Sequence, residues 1–370
     1  YIIDYVDFSK HKCTSGGKNM KKSKKILSMG LAALTALTMS ISMTGCGSSD
    51  SSVSSVDGNS DNSKVYNIGI CQLIQHEALD AATKGFKDTL TEKLGSKVKF
   101  DEQNAQGDSA NCTTICNQFV SSNVDLILGN GTAALQAAYT NTDKIPVLGT
   151  SITDYATALD IKDWTGVSNM NVSGTSDLAP LEEQAKMLNE IFPDAKNVGI
   201  LYCSAEANSK YQADTITPFL EKFGYKVSSY TFSDSNDIAA IAKDACDKND
   251  VLYIPTDNTA ANNTGIINNI AIAAKTPIIA GEEGICKGCG VATLSISYYE
   301  LGQKTGEMAY DILVNGKDIS KMEIQSAPNV TKMYDAERCK ELGVKIPDGY
   351  TAIKTVSYTH LRAHETLMNL

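Results

Sequence analysis

One pattern of apolar and polar positions runs along this chain twice. Asn67-Ile-Gly-Ile70 lies in a short β-branched run ending in a polar loop, followed by a helical pattern over 78–94 and a second strand over 97–100. Asn197-Val-Gly-Ile200 opens the same series, with a helical pattern over 207–223 and a strand over 226–231. Further on, Asp125-Leu-Ile-Leu128 corresponds to Val251-Leu-Tyr-Ile254, Thr132-Ala-Ala134 to Thr259-Ala-Ala261, and Lys144-Ile-Pro-Val147 to Lys275-Thr-Pro-Ile278. Strands alternating with helices build parallel sheets covered on both faces. The expected fold is therefore α/β, with two doubly wound Rossmann-like lobes and a ligand cleft between them. In such sheets ligands bind beyond the carboxyl ends of the strands. That rule selects loops 73–76, 129–133 and 150–154 in the first lobe, and 204–209, 256–259 and 282–284 in the second.

The tail continues with a strand over 290–295 and an amphipathic helix over 298–313 with Leu301, Met308 and Ile312 inward. A last strand over 322–325 and a short closing helix over 335–342 complete it. Three passages between the lobes account for this tail. The expected division is 65–168 with 297–318 for the first lobe and 169–296 with 319–355 for the second.

The start of the chain carries a different signal. Lys21, Lys22, Lys24 and Lys25 precede an uncharged apolar run over 26–43, which ends in small residues and Met43-Thr44-Gly45-Cys46. Basic, apolar and small regions in that order are the layout of a secretory signal peptide. The cysteine after Thr-Gly resembles the lipobox of bacterial lipoproteins, which implies a lipidated Cys46. Met20 is then the expected initiator, 1–19 upstream translation, 20–45 the signal peptide, and 46–64 the lipidated residue and its tether. The Ser-, Asp-, Asn- and Gly-rich stretch after Cys46 has too little apolar surface to fold. At the other end, 356–370 resembles the translation of a sequencing adapter, so His360, Arg362 and His364 are set aside.

Composition narrows the partners. Apolar content of 42% and charged content of 21% fit a globular body, and the length after the tether suits two domains. A net charge of −10 disfavours nucleic acid. No second apolar run of spanning length follows the signal, so contact with the membrane is expected through the lipid alone. Besides Cys13 and Cys46 there are Cys71, Cys112, Cys116, Cys203, Cys246, Cys286, Cys289 and Cys339. A disulfide, a half-site for zinc or redox chemistry at Cys286-Lys-Gly-Cys289, and free buried thiols all remain open. Cys71 and Cys203 sit in apolar strand patterns, which favours thiols, and neither metal nor cofactor is expected.

At the loops the sequence resembles a known family, the substrate-binding lipoproteins of ABC importers, in the branch that binds aromatic amino acids. The resemblance spans about 67–347. It is carried by His76-Glu-Ala-Leu-Asp-Ala81, Asn104-Ala-Gln-Gly-Asp108, Pro146-Val147, Ser204-Ala-Glu-Ala-Asn-Ser209, Pro255-Thr-Asp-Asn-Thr259, Ala280-Gly-Glu282 and Tyr298-Tyr-Glu-Leu-Gly-Gln-Lys-Thr-Gly306. It implies a type I periplasmic binding protein-like fold with three crossovers, an amino acid as ligand, and an ABC permease and ATPase as partners. Two positions depart from the family: Ser297 stands where an acid is frequent, and Cys286 and Cys289 where small or apolar residues are usual.

A zwitterion needs an acid for its ammonium and donors for its carboxylate. Arg338, the only arginine left, belongs to the closing helix, so a bidentate clamp is not expected in the cleft. Asn130, Thr132 and Asn258, at strand-to-helix turns, are the candidate carboxylate donors. Asp257, Glu206 and Glu283 are the candidate ammonium partners, with Glu282 and Asp154 behind them. Ser151, Ser204, Asn208 and Ser209 share these loops. Gln75 and His76 lie on the first opening loop, where the resemblance implies that His76 walls an aromatic side chain. For every one of these the competing role is helix capping, which favours the same residue types. Gly129-Asn-Gly131 matches a dinucleotide fingerprint only loosely and follows the third strand, and no nucleophile elbow precedes a helix. An extracytoplasmic binding protein is expected, not an enzyme. A nucleoside or sugar receptor on the same fold, or a sensor or adhesin lipoprotein, are the alternatives.

Overall fold

The computed structural model describes residues 64–353. The signal peptide, Cys46, the tether and the segment 356–370 lie outside the described residues. The first series runs β1 (Tyr66–Gln72), α1 (Glu77–Leu94), β2 (Val98–Asn104), α2 (Ser109–Ser121), β3 (Leu126–Asn130), α3 (Thr132–Asn141), β4 (Val147–Ile152), α4 (Tyr155–Leu159) and β5 (Val172–Ser176). The second runs α5 (Leu181–Ile191), β6 (Asn197–Cys203), α6 (Ala207–Lys222), β7 (Lys226–Phe232), α7 (Ile238–Lys248), β8 (Val251–Ile254), α8 (Asn258–Ala261), α9 (Thr264–Ala274), β9 (Ile278–Ala280), α10 (Glu283–Cys289) and β10 (Ala292–Ile296). The tail holds α11 (Tyr298–Leu313), β11 (Gln325–Ser326), β12 (Val330–Tyr334), α12 (Ala336–Leu342) and β13 (Thr351–Ala352).

The duplication survives in the strand order. The first sheet reads β11-β5-β4-β3-β1-β2 and the second β13-β12-β10-β9-β8-β6-β7. Each lobe thus contains the same parallel five-strand core, and β12, antiparallel to β10, extends only the second. The glycine in each opening motif has a packing reason. A Cβ on Gly69 would come within 2.5 Å of the Phe119 ring, and one on Gly199 within 2.7 Å of Leu252. Buried rows such as Ile68, Ile70, Leu126 and Leu128 in the first lobe, and Val198, Ile200, Leu252 and Ile254 in the second, form the cores. Tyr253 is buried in the second core, and its hydroxyl donates to Gln184 Oε1 at 2.6 Å.

Two boundaries shift from the sequence reading. Val172–Ser176 pairs with β4 and Gln325–Ser326 pairs with β5, so 172–176 and 325–326 belong to the first sheet. The passages fall after β5, after β10 and after β11. The strand expected over 322–325 shrinks to two residues, and β12 and β13 follow it. The helices over 298–313 and 336–342 stand where the amphipathic pattern puts them, the latter capped by Asp335, which accepts the Arg338 N–H.

The second passage delivers α11 onto α1. Gly85, Gly302 and Gly306 lie at the crossing: a Cβ on Gly302 would sit 2.0 Å from the Ala82 carbonyl oxygen, and one on Gly85 2.1 Å from that of Tyr299. Thr305 Oγ1 meets Thr175 Oγ1 at 2.8 Å and donates to Thr150 Oγ1 at 3.2 Å, fixing α11 to β5 and β4. A hydrogen bond also ties two passages together. Tyr298 Oη, at the start of α11, donates to Asp177 Oδ2 at 2.9 Å just after β5, and Thr153 Oγ1 donates to Asp177 Oδ1 at 3.1 Å. Asp177 is buried, with Tyr155 also nearby, and burial lifts its carboxyl to about 6.

Two outcomes follow. Gly302→Ala forces the α1–α11 backbones apart and is expected to cost about 1–3 kcal/mol; a melting temperature equal to wild type would mean that the crossing is slack. Asp177 titrates near 4 when unfolded and about 6 when folded, so the folded state binds its proton more tightly. Its contribution is complete below about pH 4 and is lost as pH rises through about 6. Asp177→Asn should therefore flatten part of the fall in stability between about pH 4 and pH 8, read by urea unfolding; an unchanged slope assigns that fall to other groups.

Candidate functional site

The lobes meet along the carboxyl edges of their sheets. His76 Nε2 lies 3.1 Å from Asn258 Oδ1, Lys287 Nζ bonds Glu77 Oε1 at 2.7 Å and Oε2 at 2.9 Å, and Gln212 Nε2 donates to Thr153 Oγ1 at 3.4 Å. Burial pushes His76 below the usual histidine range, so the neutral imidazole makes this contact near neutral pH. The Lys287–Glu77 pair is substantially exposed, and such pairs contribute about 0.2–1 kcal/mol.

Beside the His76–Asn258 contact is a cavity of about 300 Å³. Its first-lobe wall is Leu73, Ile74 and Ala133, with Gln106, Gly107 and Ser109 from the turn between β2 and α2. Its second-lobe wall is Cys203, Ala205 and Glu206, then Ser233, Asp234 and Ser235 after β7. Asn258, Thr259, Asn262 and Asn263 close it. Among the described residues that line it there is no Lys, Arg or His. The volume is at the lower end of the ~300–1,000 Å³ typical of small-ligand sites.

The structure brings several expected residues to this seam but engages most of their polar atoms. Glu206 Oε1 accepts from Thr259 N at 2.8 Å and Oγ1 at 2.7 Å. Its Oε2 accepts from Asn258 N at 3.0 Å, Asn258 Nδ2 at 2.7 Å and Asn208 Nδ2 at 3.1 Å. Asp257 is buried at 1% exposure and accepts the Ala260 and Cys203 N–H groups, both at 2.7 Å. Burial, helped by Glu206, raises its carboxyl to about 7. Glu282, at 2% exposure, caps α10 through the Gly284 and Ile285 N–H groups, and burial raises it to about 7. Asp154 caps α4 through the Thr157 N–H at 2.7 Å. Capping therefore occupies Asp257, Glu282 and Asp154, and the reason is geometric: each is the residue before a helix whose first N–H groups need an acceptor.

The remaining candidates divide. Asn130 is buried, donates to Leu79 O at 2.8 Å and Thr83 Oγ1 at 2.9 Å, and leaves Oδ1 without a partner. Thr132 opens α3 in a buried setting, after Gly131 at φ +97°. Ser151 is buried with no partner for its hydroxyl, at φ +57°, a conformation that costs a non-glycine residue of order 1–3 kcal/mol. Ser204 Oγ donates to Phe232 O at 3.1 Å, and Asn208 Nδ2 reaches Ser209 Oγ and Thr256 O at 3.2 Å. Gln75 is exposed and shares a second cleft with His76, Glu77 and Lys287. Half-buried Glu283 faces a smaller cavity of about 140 Å³ with Glu77 and Tyr298, away from the cavity above. The turns after β2 and β7 line the cavity and are absent from the sequence-derived loops, although the same carboxyl-edge rule covers them.

Arg338 is spent on structure. Its guanidinium donates to the carbonyls of Gly290 at 2.7 Å, Cys286 at 3.0 Å, and Lys287 and Gly288 at 3.2 Å, closing the carboxyl end of α10. The eight described cysteines are buried and unpaired. Burial pushes the Cys286 thiol well above its usual range and Cys289 up to about 12, so both are inert thiols. Among the described residues no helix is long and apolar enough to cross a membrane.

The family model described as ABC transporter substrate binding protein matches residues 67–355. A protein of Clostridioides difficile named tyrosine-binding protein is 36% identical over 330 residues, 88% of this chain and 94% of that one. Among solved structures, an ABC domain from Streptococcus pneumoniae in complex with L-Trp is 28% identical, with a TM-score of 0.75, covering 78% of this chain and all of that one. An open, ligand-free substrate-binding protein with adhesive properties from Clostridium difficile is 36% identical with a TM-score of 0.61, covering 79% of this chain and all of that one. Over nearly all of its two-lobed body, this chain belongs to the ABC transporter substrate-binding protein family.

Proposed function

We propose that the protein is the extracytoplasmic receptor of an ABC importer, held at the membrane by lipid on Cys46, and that it closes its lobes around an aromatic amino acid. Closure then presents a joint surface of both lobes to a permease, whose ATPase drives transport. The observation that carries this reading is the cavity of about 300 Å³ walled by both lobes, in a chain 36% identical to one named for tyrosine binding. The state of the lobes supports it. The L-Trp complex, at lower identity, has the higher TM-score of the two solved relatives, and the open form the lower. His76–Asn258 and Glu77–Lys287 are direct contacts between the two lobes. Within the site, Asn258 belongs to the second-lobe wall, and its contact with His76 stands at the edge of the cavity. An adhesin is the second reading, favoured by the adhesive properties of the open relative.

The purified protein is expected to be stabilised by tyrosine, tryptophan or phenylalanine, by about 2.7 kcal/mol at a hundredfold excess over Kd. A Kd of order micromolar corresponds to about −8 kcal/mol. Recovery of a sugar or nucleoside from the purified protein, with no shift in melting temperature on adding aromatic amino acids, would refute the ligand. Cys46→Ser is expected to release the protein from membranes into the medium; persistence at the membrane would refute the anchor. Unchanged growth of a deletion strain on a limiting aromatic amino acid, with lost attachment to host cells, would favour the adhesin.

A further inference from the structure

Two carboxylates line the cavity between the lobes, and their commitments differ. Glu206 accepts five hydrogen bonds, two on Oε1 and three on Oε2. Asp234 lies in the turn after β7, which is braced by Ser233 Oγ donating to Asp237 Oδ2 at 2.9 Å. Asp234 is exposed; its Oδ1 accepts the Asn236 N–H at 2.8 Å, and among the described residues its Oδ2 takes no donor, which leaves that oxygen open to solvent and to a ligand. The acids expected from sequence to meet an ammonium are otherwise engaged: Asp257 and Glu282 are buried caps, and Glu283 faces another cavity. With no Lys, Arg or His in the described lining, the cavity's field favours a cation. The opposite wall, Leu73, Ile74 and Ala133, is apolar and comes from the other lobe.

We infer that Asp234 receives the ammonium group of the ligand, whose apolar side chain lies against Leu73, Ile74 and Ala133. The inference rests on the reading of the protein as an amino acid receptor and says what that receptor selects: an α-amino group held by the second lobe and a ring held by the first. A ligand with both features bridges the lobes, whereas one lacking the amino group makes no charge-assisted hydrogen bond to Asp234. Asp234 is therefore a specificity-determining residue.

The test measures binding of L-tyrosine and of its des-amino analogue, 3-(4-hydroxyphenyl)propionate, by calorimetry to the full chain and to Asp234→Asn and Asp234→Glu. Asparagine keeps the acceptor for the Asn236 N–H, so ligand-free melting temperatures should match. Asp234→Asn is expected to lose about tenfold or more in affinity for L-tyrosine, the scale of a charge-assisted hydrogen bond, with no loss for the analogue. Asp234→Glu, which keeps the charge, should retain most of the affinity. Wild-type affinity for L-tyrosine in Asp234→Asn would overturn the inference and leave the receptor reading standing, as would equal losses for both compounds. Failure of the wild-type protein to bind tyrosine, tryptophan or phenylalanine would overturn both.

Discussion

Where α11 crosses α1, no side chain fits at Gly85 or Gly302, because a carbonyl oxygen of the facing helix occupies the space. This contact returns the chain to the first lobe after it has built the second. α1 begins at His76, on the seam, and α11 begins at Tyr298, bonded to Asp177 at another passage. The glycine contact therefore joins, in one helix pair, a residue of the seam and one of the passages between the lobes. Dense, interdigitated interiors transmit displacement, so an ångström gained between these helices would reach both.

The seam is electrostatically unusual for a site expected to take a zwitterion. The one described arginine caps α10 from within the second lobe, and no basic side chain lines the cavity among the described residues. Behind its lining, Asp257 and Glu282 are held by main-chain N–H groups and raised by burial, and Glu206 in the lining accepts three side-chain and two main-chain hydrogen bonds. Helix starts and acids thus satisfy one another, which leaves the cavity walls mostly neutral and hydroxyl- or amide-bearing.

Much of this was legible in the chain. The repeated βα pattern announces two parallel, doubly wound sheets, and the glycine of each Asn-x-Gly-Ile motif marks a strand onto which a side chain packs closely. The passages between lobes were less legible. Val172–Ser176 reads as a strand from its own residues, but which sheet accepts it depends on β4 across the turn, a long-range pairing with no local mark. The site was legible at the level of loops and not of roles. Asp257 and Glu206 have the residue type that either a cap or an ammonium partner requires, and only burial and hydrogen-bond saturation separate the two. The turn holding Asp234 follows β7, the edge strand of the second sheet, and its Ser, Asp and Asn residues are those of any surface turn.

Three passages of chain join the lobes, after β5, β10 and β11. Neither lobe is a continuous length of sequence, so neither can be removed by truncation or gained by fusing a segment end to end. A protease that cuts one passage leaves two covalent connections in place, and the halves stay registered across the cleft. For a site walled by both lobes, that connectivity means a single nick need not separate its two walls.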